Sequence, residues 1–412
     1  MKSKPIHASM SHFQVENNNL LIGGKTLAQI EELVGSTPFY AYDSNVLAST
    51  IGELKQALPN KIKLHYAIKA NPFPHLVHFI KPLVDGFDVA SKKEMLLAIQ
   101  TKMPLDEISF AGPGKTIDDI SASIVAGVTL HAESITEITR AIEVGRRLSI
   151  KPNIAIRVNP AFELKASGMK MAGGAKPFGI DEEQVFELLK SLDYEQMNFR
   201  GFHIFAGSQN LNSEAIIEMH HKTFKLSQQL IRASKVKIDY VNIGGGLGIP
   251  YFPGENWLDI SPICQHLEHL LSEHAETFDC VDVIMELGRF IVGRSGVYVS
   301  KVVDVKQSRE TEYAVCDGGL HHHLANSGNF GQVIRKNYPV SIGNKINTPA
   351  EEYKKATLVG PLCTPLDILG DKMLLPSIEI GDYAVVYQSG AYGASASPQG
   401  FLSQPNLSEI LL

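Results

Sequence analysis

A chain of 412 residues, 44% apolar and 20% charged, has room for two or three domains and an ordinary globular balance, which excludes disordered, collagen-like and fibrous classes. The formal charge of −6 is spread over mixed signs without a basic stripe, so no nucleic-acid partner is expected. No run of about 18 apolar residues occurs and the Met1 end lacks an apolar segment, so neither a membrane span nor a signal peptide is expected.

The opening segment FQVENNNLLIGGKTL reads as a hairpin turning at its asparagines. Short apolar runs then predict strands at 63–70, 85–90, 108–112, 128–133, 153–159, 200–206, 239–244 and 282–287. Between them KKEMLLAIQT, SITEITRAIEVGRRL, DEEQVFELLKSL and EAIIEMHHKTFKLSQQLI space their apolar residues by three and four, as helices do. Strand–helix repetition of this kind predicts an α/β chain with a (β/α)8 TIM barrel, a doubly wound open sheet being the rival. After about residue 290, VYVSKVVDVKQ, YAVCDGG, KATLVGPLC and DYAVVYQSG read as strands with almost no helix. The expected division is a barrel at 40–285 and a C-terminal β-sandwich or β-barrel domain that also takes the N-terminal segment, from 1–39 and 286–412.

Lys69 closes the first barrel strand, sharing a face with His65 and Ala67, just before the breaker Asn71-Pro72-Phe73-Pro74. In a barrel the C-terminal strand ends carry the chemistry, and an inward lysine suits a covalent bond to a cofactor aldehyde. It reads equally as a solvated strand-end lysine. Val241 to Gly248 is a strand running into glycines whose N–H groups can approach an anion, or a flexible turn. Gly112-Pro113-Gly114-Lys115-Thr116 mimics the end of a phosphate-binding loop, but Ser109 stands where the first glycine belongs.

Glu286-Leu287-Gly288-Arg289 sets a carboxylate and a guanidinium at the last strand end, as a ring-nitrogen and phosphate pair or an ordinary ion pair. Cys363, in the turn Gly360-Pro361-Leu362-Cys363-Thr364, is exposed enough to exchange protons or is a structural thiol. The other cysteines, Cys264, Cys280 and Cys316, read as small buried hydrophobes, and the scattered thiols fit a reducing cytoplasm. Tyr392 in Gly390-Ala391-Tyr392-Gly393 suits a phosphate contact or a plain turn. His321-His322-His323 alternates faces, so no metal site is expected, and His220-His221 reads as a solvated helix face.

Together and in this order, YAIKAN, GFDVAS, FHIFAGSQ, NIGGGLG, ELGR, GPLC and GAYG make the chain from about residue 38 onward resemble the fold-type III pyridoxal-phosphate decarboxylases. That family includes ornithine and diaminopimelate decarboxylases on an alanine-racemase-like barrel. The resemblance is closer still to the subgroup of the butirosin-pathway and exosortase-A-associated decarboxylases, through FAGPGK, SGMKM, FHIFAGSQNL, GLHHHLANSGNFGQVIRKNYPV and GPLCTPLD.

The resemblance implies pyridoxal 5'-phosphate as cofactor and decarboxylation at Cα of an L-amino acid or a carrier-protein-bound derivative. Lys69 would bond the cofactor and Glu286 would face its ring nitrogen. Gly244, Gly245, Gly246, Gly288, Arg289 and Tyr392 would hold the phosphate, with Ser208 near it. Asp88 and Arg157 would line the pocket, and Thr364, Arg335 and Tyr338 would lie near the substrate. Cys363 would be supplied across a homodimer interface as an acid.

Two departures stand out. Where relatives stack a histidine on the ring this chain has Phe205, with His203 two residues earlier. Thr364 replaces the acid that pairs with a distal ammonium, although Asp367 is near enough in sequence to substitute. The remaining readings are a decarboxylase of a free basic amino acid, of the diaminopimelate or ornithine type, and a cofactor-binding regulator without turnover.

Overall fold

A computed structural model describes residues 5–163, 169–327 and 336–412. Two compact units divide the chain: 51–248 with 258–288, and 1–50 with 249–257 and 289–412. Residues 40–50 and 249–257, expected within the barrel, group instead with the β unit, and 286–288, expected in the β unit, group with the barrel.

The first unit is a closed ring of eight parallel strands, with a short strand appended at Ile180–Asp181. In chain order the ring strands are β1 (Ile62–Ala67), β2 (Gly86–Val89), β3 (Ile108–Phe110), β4 (Thr129–Ala132), β5 (Asn153–Asn159), β6 (Asn198–Ile204), β7 (Tyr240–Asn242) and β8 (Asp282–Leu287). The ring closes where β8 pairs with β1, Glu286 beside His65. Helices follow the strands, and their starts are written locally: Ser91, Thr116 and Ser134 each accept an N–H bond as the N-cap of the next helix. Barrel interiors are ordinarily filled by branched apolar residues. Here Asp88, His131, Arg157, His203, Asn242 and Glu286 are all buried, so polar side chains occupy the interior of the ring.

The second unit is antiparallel for the most part. Its long strand Gly296–Ser308 pairs with Phe39–Tyr42, Thr311–Cys316 and Tyr383–Val386, and Ser408–Leu411 extends the sheet beside Phe39–Tyr42. The expected N-terminal hairpin forms between Gln14–Glu16 and Asn19–Ile22. Asn17 and Asn18 take φ of 46° and 69°, as a two-residue hairpin loop requires. Its Phe13, Leu20 and Ile22 enter one apolar core with Phe39, Val297, Val299 and Val385. Among the described residues no helix is long and apolar enough to cross a membrane.

Two expectations about single residues also fail. His220 is fully buried rather than solvated, because Met219, His220, Thr223 and Phe224 share the inward side of helix Ser213–Ala233. Burial, then His266, lowers its pKa to about 3. Cys280 is exposed, whereas Cys264 and Cys316 are buried as expected.

Candidate active site

Strand β1 stops at Ala67, short of the expected 70, and Ile68–Ala70 winds into a single tight turn. The turn presents Lys69 at the C-terminal mouth of the barrel, where it lines a cavity of about 250 Å³ with Asp88, Arg157, Phe178, His203 and Glu286. Its Nζ stands 5.6 Å from the ring centre of Phe205, which also lies 6.0 Å from the Arg157 guanidinium. Gly288 keeps this end tight: a Cβ there would come within 2.8 Å of Ala70 Cβ, beside Lys69.

Glu286 is a buried acid of the cavity lining. Asn242 Nδ2 donates to its Oε2 at 3.1 Å, and His203 Nε2 is 3.4 Å from the same oxygen. Burial pushes its carboxyl up, but His203, Lys69 and Arg157 outweigh that and hold it well below the usual range. Asp88 goes the other way, raised by burial and then by Glu286. Ser109 donates to Asp88 Oδ1, while Oδ2 has His65 at 3.6 Å and no hydrogen-bond partner among the described residues. His65 reaches Glu107 at 3.4 Å on its other side.

One wall is tied by Glu133. Its carboxylate accepts from Arg157 at 2.8 Å, from the Gly112 N–H at 2.6 Å and from the Gly179 N–H at 3.2 Å. A single acid therefore joins the loops after β3, β4 and β5. Lys115 is buried and spent on Glu137, Gly112 O and His131 O, while Thr116 caps a helix, so the phosphate-loop mimic is structural.

The glycine segment is backbone packed on backbone. Gly244 and Gly246 take φ of 70° and 93°, and a Cβ on Gly245 would lie 2.0 Å from Glu286 O. The Gly245 and Gly246 N–H groups donate to no protein acceptor among the described residues, an arrangement suited to an anion. Ser208 is half-buried on the following loop of β6.

In the β unit, Arg289 Nη1 donates to Tyr251 OH at 2.9 Å, and its guanidinium lies 4.6 Å from the Tyr392 ring centre. The Tyr338 ring packs tilted against Tyr251, with ring centres 4.5 Å apart, so the structure brings Arg289, Tyr338 and Tyr392 together around a tyrosine the sequence did not single out. Cys363 is exposed and Thr364 half-buried on a turn held by Asp367, whose carboxylate accepts from Leu320 N at 2.6 Å and Leu362 N at 2.8 Å. Asp367 is therefore committed to backbone, which corrects its standing as a spare acid. His322 bonds Pro405 O and His323 bonds Ser389 Oγ. Arg335 lies outside the described residues.

Residues 45–293 match the family profile described as pyridoxal-dependent decarboxylase, pyridoxal binding domain. The chain belongs to the pyridoxal-dependent decarboxylases. It is 34% identical to the L-glutamyl-[BtrI acyl-carrier protein] decarboxylase of Niallia circulans, over 91% of this chain and 88% of that one. It is 30% identical to the 2-[(L-alanin-3-ylcarbamoyl)methyl]-2-hydroxybutanedioate decarboxylase of Staphylococcus aureus, over 90% and 93%. The diaminopimelate decarboxylase of Helicobacter pylori, solved with L-lysine, superimposes with a TM-score of 0.81 at 26% identity, covering 93% of this chain and 94% of that one.

The pocket residues of this decarboxylase fit pyridoxal 5'-phosphate. A lysine stands at the mouth, a carboxylate held ionised lies at depth, Asp88 keeps a buried oxygen unpaired, and the glycine cradle admits no Cβ. Sequence reasoning missed His131, Glu133, Tyr240 and Tyr251. Glu133 closes the strand expected at 128–133, but nothing local reveals that its partners lie on neighbouring loops.

Proposed function

We propose that this pyridoxal-dependent decarboxylase releases CO2 from the Cα carboxylate of an L-amino acid joined to a larger acyl group, presented by a carrier protein. The observation that carries the site assignment is the single cavity shared by Lys69, Asp88, Arg157, His203 and Glu286. When bound, the cofactor supplies the electron sink into which the Cα–carboxylate bond breaks.

In this reading Lys69 bonds the cofactor, and Glu286 stands as the carboxylate facing its ring nitrogen. Phe205 would be the ring's stacking partner, since it faces Lys69 and Arg157, whereas His203 is bonded to His131 and lies 3.4 Å from Glu286. Asp88 and Arg157 line the pocket, and the N–H groups of Gly245 and Gly246, with Ser208, Gly288, Arg289 and Tyr392, would hold the phosphate, the Gly244 N–H being committed to Asn242 Oδ1 at 2.8 Å. Cys363, exposed on its turn, gives a proton to Cα in the site of the other subunit of a homodimer. Four free thiols fit a cytoplasmic enzyme.

Two features support the substrate class. Thr364 is neutral and Asp367 is bound to backbone, so this turn offers no acid for a distal ammonium. Both curated relatives above are named for substrates larger than a free amino acid. The test is a screen of free and carrier-bound amino acids for CO2 release. Turnover of a carrier-bound acyl amino acid is expected, and efficient turnover of free ornithine, lysine or diaminopimelate would overturn the substrate class. Mixing Lys69→Ala and Cys363→Ala subunits should restore activity, and no rescue after proven exchange would remove the shared site.

A further inference from the structure

The barrel interior holds a line of buried side chains that this reading leaves largely unused. Tyr240 of β7, His131 of β4, His203 of β6 and Glu286 of β8 are each at most 6% exposed. The Tyr240 hydroxyl lies 2.8 Å from His131 Nε2, and His131 Nδ1 lies 2.9 Å from His203 Nδ1. His203 Nε2 then faces Glu286 Oε2 at 3.4 Å.

Such a line has a direction. Two Nδ1 atoms at hydrogen-bond distance share one proton, so one ring donates and the other accepts. A fully buried phenol keeps its proton, and by donating to His131 Nε2 it leaves that nitrogen bare. His131 then carries its proton on Nδ1 and donates to His203. His203 Nδ1 is bare in turn, and its own proton sits on Nε2, aimed at Glu286. The opposite direction aims a bare lone pair at a carboxylate unless His203 takes a second proton. That would place an imidazolium at a buried position, with Arg157 as its neighbour across the strand pair.

We propose that His131 and Tyr240 are positioning residues that fix His203 as its Nε2–H tautomer, so that the pocket keeps Glu286 as a carboxylate. The proposal rests on the reading that Glu286 faces the ring nitrogen of the cofactor. The other polar groups around Glu286 are Asn242 of β7, His65 of β1, Asp88 of β2, Arg157 of β5 and Lys69 beyond β1. The tyrosine and two rings set the tautomer, and those five groups add to the field.

The test is ¹⁵N NMR of histidine-labelled protein, with and without pyridoxal 5'-phosphate, with the two rings assigned by substitution. Wild type is expected to show neutral Nε2–H His203 and neutral Nδ1–H His131. Tyr240→Phe and His131→Leu should release the His203 tautomer. His131→Leu should also weaken cofactor binding roughly fivefold, the factor one ordinary hydrogen bond carries. His131→Asn, whose amide nitrogen sits near the imidazole Nδ1 position, should restore both.

A doubly protonated or Nδ1–H His203 in wild type would overturn the proposal without recourse to any variant. Unchanged tautomers and affinity in both Tyr240→Phe and His131→Leu would do the same. If the tautomers hold while Glu286→Gln leaves cofactor affinity and absorbance untouched, the reading of Glu286 falls and the tautomer lock stands.

Discussion

Replacing Glu133 by alanine removes the acid that joins three loops of the pocket wall. Its side chain is 1% exposed and that of its partner Arg157 is 8%. Breaking a buried pair from one side leaves the other charge uncompensated, which costs about 3–5 kcal/mol. The Gly112 and Gly179 N–H groups lose their acceptor as well, at ~1 kcal/mol each, and water entering the vacated space offsets part of the sum. The expected loss is about 4 kcal/mol, and about 2 kcal/mol for Glu133→Gln, which keeps an acceptor but no charge.

Urea unfolding of the cofactor-free protein measures this, with amide exchange at Gly112 and Gly179 locating the change. Arg157→Leu should cost far less in the Glu133→Ala background than in wild type, because no charge is then stranded. The pH dependence has a definite sign. Burial pushes the Glu133 carboxyl up, but Arg157 pulls it further down, so the folded value lies below the ordinary 4.5. The contribution is present above that value and lost as the pH falls through the depressed one, so the deficit of Glu133→Ala should shrink in acid. A loss under about 1 kcal/mol at neutral pH, or equal costs of Arg157→Leu in both backgrounds, would refute the reasoning.

Cys280 and Cys363 should react quickly with a maleimide in the native protein, while Cys264 and Cys316, whose thiols burial pushes up to about 11 and about 12, react only on unfolding; mass mapping of a different fast pair would contradict the burial. Asp88 is raised above the ordinary value of 3.8 by burial and by Glu286, so its contribution is present in acid and lost as the pH rises through the folded value. Asp88→Asn should therefore gain stability over wild type in the cofactor-free protein between roughly pH 4 and pH 7, and a constant urea-midpoint difference across that range would show otherwise. Thr364→Asp should raise kcat/KM for basic amino acids, since it supplies the acid this turn lacks; steady-state assays showing no gain would mean the turn does not face the far end of the substrate.

Much of this was legible in the chain. Buried parallel strands read as short apolar runs, and all eight appear close to where the runs lie. The capping residues Ser91, Thr116 and Ser134 sit where a helix start demands them. Lys69 could be placed because strand ends are where a barrel exposes side chains, although the turn after Ala67, not the pleat, presents it.

What escaped was non-local. Glu133 finds Arg157 and Gly179 only once β4 and β5 lie side by side. His131 and Tyr240 sit inside apolar runs and become a chain of hydrogen bonds only through ring closure. Tyr251 meets Arg289 across 38 residues of sequence. His220 misled for a simpler reason: a polar residue in an amphipathic helix reads as solvated, but its position faces inward with Phe224.

The most direct test of the account is covalent. Reducing the holoenzyme with borohydride and mapping its peptides by mass spectrometry should place the pyridoxyl adduct on Lys69 alone, with the bound cofactor's absorbance lost on reduction. An adduct on any other lysine, or none in a protein that still releases CO2, would contradict it.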